Sequence, residues 1–278
     1  MAEASVKAEA EERERQRLAA EAKPKVKAAE AALASKLGLG RPFAQGARGQ
    51  VGVIFVRWIP AGRFTMGSPG TEEERSPTET QHEVVLSQGF FMAETECTQG
   101  QWEMVMGSNP SRLKVANRPV EQVSWSDAVE YCRKLTVKQR DEGLLPVGWE
   151  WRLPTESEWE YAVRAGTTGL RYGELEETAW WSGNSGSGTH PVSQKAANAW
   201  GLQDMIGNVW EWCSDWSGVY PTWRVTDPTG PSSGSDRVYR GGSWGNGAGR
   251  ARSAIRSGRD PGFQDDFLGF RPALSSVR

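Results

Sequence analysis

The residues able to do covalent or redox chemistry in this chain are few and scattered. Its three cysteines, Cys97, Cys132 and Cys213, form no Cys-x-x-Cys pair, and its two histidines are His82 and His190. A thiol becomes a nucleophile or a metal ligand only where positive charge or a base stabilises the thiolate. Cys132 has no such neighbour in sequence and shares a helical face with Ala128, Val129 and Leu135, so a packed thiol is expected there. The chain is better supplied for recognition. Arg240-Gly-Gly-Ser-Trp244 opens, and Leu268-Gly-Phe-Arg271 closes, a segment (245–267) with no Lys, Glu, Met or Trp. Arg250, Arg259, Asp260, Asp265, Asp266, Phe263 and Phe267 give it both charge signs and aromatic anchors, a mixture suited to protein recognition. The same residues also suit an ordinary surface loop and closing strand.

The elements that must position this segment read as α+β. Gly241 and Gly242 suit a bulge or close backbone approach, with Trp244, Leu268 and Phe270 filling the core below. Thr98 caps a helix beginning near Gln99, Ser124 caps one from Trp125 to about Lys138, and Thr155 with Glu158 forms a capping box before Trp159 and Ala162, with Gly166 as C-cap. Strands are expected over Val51–Ile59, after Pro60, over His82–Leu86 and over Gly89–Ala93. Residues 3 to about 37, rich in Ala, Glu, Lys and Arg, predict a helix that buries little and is free to contact a partner. The chain therefore divides into 1–50, a charged helix and linker, and 51–278, one domain.

Fourteen Trp and 32 Gly favour large rings packed under long loops over a helical bundle. A net charge of −2 gives no field for nucleic acid or a membrane surface. No window reaches about 18 consecutive apolar residues, so no membrane span is expected. Sparse, odd-numbered cysteines and an N-terminus without an apolar core lead us to expect a reducing, cytoplasmic location.

From about Val51 to Leu274 the chain resembles the formylglycine-generating enzyme family, which has a variant of the C-type lectin fold. The resemblance rests on Pro60-Ala-Gly-Arg-Phe-Thr-Met-Gly67, Glu94-Thr-Glu-Cys-Thr-Gln-Gly-Gln-Trp102, Pro119-Val-Glu-Gln-Val-Ser-Trp125, Arg152-Leu-Pro-Thr-Glu-Ser-Glu-Trp-Glu-Tyr-Ala162, Gly207-Asn-Val-Trp-Glu-Trp212 and the two blocks framing 245–267. It implies an oxidase that holds copper through two cysteines just after the Gly-Gly-Ser-aromatic block. Here residues 245–256 contain none, and Asn, Gly or Ser cannot replace thiolates on a soft metal. No copper is expected, and two histidines do not make the iron site of the sulfoxide-synthase relatives. An oxidoreductase using another site, or an inactive relative, is the alternative.

The closing segment is also similar to that of variable proteins of diversity-generating retroelements, whose hypervariable stretch ends in Leu/Ile-Gly-Phe-Arg. That resemblance implies a non-enzymatic protein binding an unidentified protein or other macromolecule through Trp244, Asn246, Arg250, Ile255, Ser257, Arg259, Asp260, Phe263, Gln264, Asp265, Asp266 and Phe267. Ala248, Ala251, Arg252, Ser253, Ala254, Arg256 and Pro261 would be its fixed scaffold, and Gln264, which departs from the restricted composition, would have to be a fixed position too. The enzyme family's second calcium site maps onto the side chains of Asp204 and Glu211 and the carbonyls of Gly207 and Val209, a donor set suited to Ca²⁺.

Overall fold

The computed structural model describes residues 27–277. Three of its helices begin where a side chain can hold a free backbone N–H. Thr98, Ser124 and Thr155 each accept from the residue three positions on, and Gln101, Asp127 and Glu158 return the bond. These boxes start α2 (Gln99–Met106), α3 (Trp125–Asp141) and α4 (Glu156–Arg164). A helix over 27–37, α1, precedes them, the rest of the helix expected from residue 3 lying outside the described residues, and the short α5 (Leu175–Thr178) follows.

Fourteen short strands fill the remainder. β1 (Arg48–Val51) and β2 (Ile54–Ile59) form a hairpin, then β3 (Gly62–Met66), β4 (His82–Leu86), β5 (Phe90–Ala93), β6 (Trp149–Arg152), β7 (Ala179–Trp180), β8 (Ile206–Gly207), β9 (Trp210–Trp216), β10 (Val225–Thr226), β11 (Arg237–Arg240), β12 (Arg256–Arg259), β13 (Leu268–Gly269) and β14 (Ala273–Ser276). An antiparallel sheet of order β1-β2-β5-β14-β6 packs on α2 and α3 over a core that includes Phe91, Tyr131, Trp149 and Phe270. The sheets β10-β4-β3 and β12-β11-β9-β13 meet around α4, whose nine residues are all buried. No helix among the described residues is long and apolar enough to cross a membrane.

Several local expectations change. The strand expected to start at Val51 is two strands turning at Gly52, and β1 begins inside the stretch read as linker, so the boundary at 50/51 cuts a hairpin. α1 buries more than its alanines suggested. Leu33 and Ala34 are buried, and Leu37, one turn on, packs on the same core. On α3, Tyr131 faces inward and Val129 lies exposed. α4 ends at Ala165, itself left-handed, one residue before Gly166.

What binds these layers is charge taken out of water. Glu160 accepts from Gly67 N–H (2.8 Å) and Arg164 Nε (2.9 Å), and on its other oxygen from Arg240. Glu156 takes Arg256 on both oxygens (2.7 and 2.8 Å) and the Tyr220 hydroxyl. Burial alone would raise the Glu156 carboxyl, but Arg256 and Arg240 beside it hold it below the usual carboxylate range. Replacing Arg240 by Met removes the partner of Glu160 Oε2 and the donor to the 253–255 carbonyls, all buried, and should lower the unfolding free energy by about 3–5 kcal/mol. In urea titrations the exposed control Glu130→Ala should leave the midpoint unmoved; equal shifts in the two variants would refute a dominant role for the network.

Candidate ligand-recognition face

The segment 241–271 is built from inward pegs and outward side chains. Gly241 and Gly242 have φ of 100° and 79°, and a Cβ on Gly242 would lie 2.4 Å from the Arg250 carbonyl oxygen. Glycine is required for that approach. Arg240, fully buried, donates through Nη1 to the Ala254 (2.8 Å) and Ile255 (2.7 Å) carbonyls. Arg252 donates to Glu79 (2.8 and 2.9 Å), to Glu72 (2.6 Å) and to the Glu74 carbonyl (3.0 Å). Ala251, Arg252, Ser253 and Ala254 are buried, which matches their assignment as scaffold, and Arg256 is spent on Glu156.

The predicted binding residues divide three ways. Arg250, Arg259, Asp260 and Gln264 are exposed; Trp244, Asn246, Ser257, Phe263, Asp265, Asp266 and Phe267 are half-buried. Ile255 is 6 % exposed and belongs to the core, so it is not available to a ligand. Its place just before β12, with its carbonyl held by Arg240, turns the side chain inward. Trp244 is not the buried anchor expected either. Its ring is half-exposed, and its indole N–H donates to the Asp266 carbonyl (3.0 Å).

Contacts join most of the exposed set into one face. Arg259 lies 5.5 Å above the Phe263 ring, and Phe263 and Phe267 are 6.3 Å apart. Gln264 donates to Asp127 (3.0 Å), and Asp266 pairs with Arg112 (3.0 Å). Asn246 instead accepts from Ser243 N–H and hydroxyl, and Arg250 stands on the 3-10 turn Ala248–Arg250, beside the 68–81 loop that Arg252 holds. Burial and the adjacent Asp266 push the Asp265 carboxyl up. Below it Glu121, 2 % exposed, is pushed up to about 7, first by burial, with Asp266 adding to it, and its Oε2 has no partner among the described residues.

Arg112, Asp127, Glu121 and the Arg237 guanidinium between Trp125 (3.8 Å) and Trp216 (3.5 Å) were not foreseen from sequence. Each reaches the face through contacts between residues far apart in the chain, for which no local pattern exists.

The calcium set does not assemble as expected. Glu211 accepts from Arg271 Nη2 (2.8 Å) and Nε (3.1 Å) and from the Trp159 indole (2.7 Å), all buried. Asp204 accepts from Ser193 N–H (2.7 Å), while its Oδ1 has no partner among the described residues. Glu96 completes the cluster by accepting from Asn208 (2.9 Å) and Val209 N–H (3.2 Å). Arg271 and the Trp159 indole take most of the acceptor positions of Glu211, so a cation there would share that carboxylate with a buried guanidinium. Burial pushes the Asp204 carboxyl to about 6 and holds Glu96 well above the usual range, with neighbouring Asp204 and Glu211 adding to the latter.

The fold and face can be set beside known proteins. A family model described as the sulfatase-modifying factor enzyme 1-like domain matches residues 53–276. The formylglycine-generating enzyme of Mus musculus is 37% identical over 198 residues, 63% of this chain and 49% of that protein. The Streptomyces coelicolor enzyme is 37% identical over 195 residues, 62% and 57% of the two chains. The chain thus spans about half the length of these curated relatives. Among solved structures, Treponema denticola variable protein 1 is similar with a TM-score of 0.72 and 33% identity, over 82% of this chain and 98% of that one. PvdO from Pseudomonas aeruginosa also reaches 0.72, at 25% identity over 84% and 99%. The expected α+β architecture of the formylglycine-generating-enzyme type is the one found. This chain belongs to the sulfatase-modifying factor enzyme 1-like domain family.

Proposed function

We propose that this chain is a ligand-binding protein without catalysis, presenting residues 244–267 as an exchangeable recognition face in the manner of variable proteins of diversity-generating retroelements. The observation that carries the reading is the split within the segment. Residues 251–256 point into buried charge and core, while Arg259, Asp260 and Gln264 stand in solvent between that anchor and the buried Leu268 and Phe270. Exposed substitutions away from such anchors usually change stability by less than ~0.5 kcal/mol, so the content of the face is free to vary. Likeness to Treponema denticola variable protein 1 over nearly all of that chain supports it. The ligand would meet aromatic rings flanked by both charge signs, the chemistry of a protein surface.

The names of the curated relatives favour a second reading, an oxidase. Its thiolate chemistry has no counterpart on this face. Cys97, Cys132 and Cys213 are all buried, and burial pushes the Cys97 thiol up to about 12 and the other two up as well. A protonated, enclosed thiol is a poor ligand for copper.

Three outcomes test the proposal. Displayed on yeast with positions 257, 259, 260 and 266 randomised, most clones should still fold, and selection against lysozyme should enrich binders; loss of folded display in most clones would sink the exchangeable face. Sequencing the locus should reveal a near-copy of the segment encoding 245–267, differing at adenines, beside a reverse-transcriptase gene. Its absence removes the retroelement part. Titration with Cu(I) under reductant should give no stoichiometric complex, whereas a tight one-to-one complex would restore the oxidase.

A further inference from the structure

A second concave site lies outside the recognition face and does not rest on that reading. A cavity of about 490 Å³ opens between β9, the start of α4 and the loop 217–231. Its size suits a small molecule. The walls are largely apolar, including Met66, Tyr220, Pro221 and Val225. On its rim Val219 is 90 % and Trp223 69 % exposed, and they extend the apolar wall out into solvent.

The polar groups of the cavity are unequally satisfied. Glu156 is saturated by Arg256 and the Tyr220 hydroxyl. Asp215, only 4 % exposed, uses Oδ2 to accept from the Glu156 N–H (2.9 Å) and the Ser214 hydroxyl (3.0 Å). No donor among the described residues meets its Oδ1. Gly230, with φ of 72°, passes over that oxygen without a side chain, and a Cβ there would come within 3.4 Å of it. His82 bonds the Thr80 carbonyl through Nδ1 (3.1 Å), which leaves Nε2 as a second acceptor in the wall if Nδ1 carries the proton. Arg256, in the wall, is committed to Glu156 and to the Tyr220 face (4.1 Å). Arg237 is not among the lining residues; it stacks on the Trp216 face (3.5 Å) and donates Nη1 to the Ser214 carbonyl, with its buried Nε unpartnered among the described residues. Trp223 has no cation on its ring among the described residues. What is left uncommitted is acceptors and an aromatic face, the complement of a cationic donor.

We propose that this cavity binds small organic cations, seating an ammonium or guanidinium head on Asp215 Oδ1 and an apolar or aromatic body against Tyr220, Val219 and Trp223. The Asp215 carboxyl is pushed up to about 7, by burial first and by Glu156 beside it, with Glu158, Arg152 and Arg237 the other charges that act on it or feel it. A cation prefers the ionised form, so its affinity rises as pH climbs through that value.

Calorimetric titration of the full chain with phenethylamine and with 2-phenylethanol, its uncharged counterpart, tests this. At about pH 8 the amine should bind at least about tenfold more tightly than the alcohol and should lose about tenfold at about pH 6. Asp215→Asn, which keeps an acceptor for the Glu156 N–H, should erase both the preference and its pH dependence. Trp223→Ala, on the exposed rim and so without a folding role, should weaken amine and alcohol alike. Agmatine and the blocked peptide acetyl-Gly-Arg-Gly-amide then separate sources: binding of agmatine alone marks a free metabolite, and binding of both marks a side chain of a partner. Equal affinity for amine and alcohol, an unchanged affinity in Asp215→Asn, or no binding of either probe at about 10 mM overturns the proposal.

Discussion

The carboxylates of α4 cannot be buried without their arginines, and this requirement organises the molecule. Glu156, Glu158 and Glu160 lie on one short helix, and each holds a guanidinium from a different strand or its edge: Arg256 on β12, Arg152 on β6 and Arg240 on β11. Removing such charges from water carries a penalty of several kcal/mol per ion unless partners and hydrogen bonds are nearly complete. The geometry meets that demand, since the Arg152–Glu158 pair is bidentate at 2.7 Å on both arms. A helix of nine residues thereby sets the relative positions of two sheets that share no backbone ladder with each other.

The same pegs decide which part of the C-terminal segment is free. Arg240 gathers the carbonyls of residues 253–255, and Arg252 anchors the 68–81 loop through Glu72, Glu79 and the Glu74 carbonyl. Gly269 closes the far end, where a Cβ would sit 2.3 Å from the Val120 carbonyl oxygen. Between these fixed ends the carbonyls of Pro261, Asp265 and Phe267 hold the backbone to Trp125, Gln122 and Trp210, and Phe263 and Phe267 pack on the core. The polar side chains make surface contacts such as the Arg112–Asp266 pair, of small individual worth. Rigidity at the ends and latitude in the middle are two consequences of one set of buried bonds.

Legibility in the sequence follows the range of the interaction. The capping boxes at Thr98, Ser124 and Thr155 are contained in four-residue windows, and all three helices start where those windows say. Arg259 and Asp260, charged residues in a Gly-rich polar run, are exposed as that composition suggests. Ile255 enters the binding set through the resemblance alone, and it is buried beside the carbonyl that Arg240 holds. Only the family resemblance assigns Asp204 and Glu211 to calcium, and it carries no information on their hydrogen-bond partners. The guanidinium that claims Glu211 lies sixty residues away, at Arg271. The cavity beside Asp215 had no sequence signal at all, since its walls come from β3, β4, α4, β9 and the 217–231 loop together.

That asymmetry also explains how one family can carry unrelated chemistries. The motifs that identify membership, Arg240-Gly-Gly-Ser-Trp244, Leu268-Gly-Phe-Arg271 and Gly207-Asn-Val-Trp-Glu-Trp212, supply the buried partners: Arg240 to Glu160, Arg271 to Glu211, Glu211 to Trp159. None of these bonds involves residues 257–267. Their energy is the same whether the intervening loop carries thiolates for a metal or aromatics for a protein. Selection on stability therefore preserves the frame and is silent about the segment it holds, and function must be read from that segment's own side chains. Here those are Arg259, Asp260, Phe263, Gln264, Asp266 and Phe267, all exposed or half-buried.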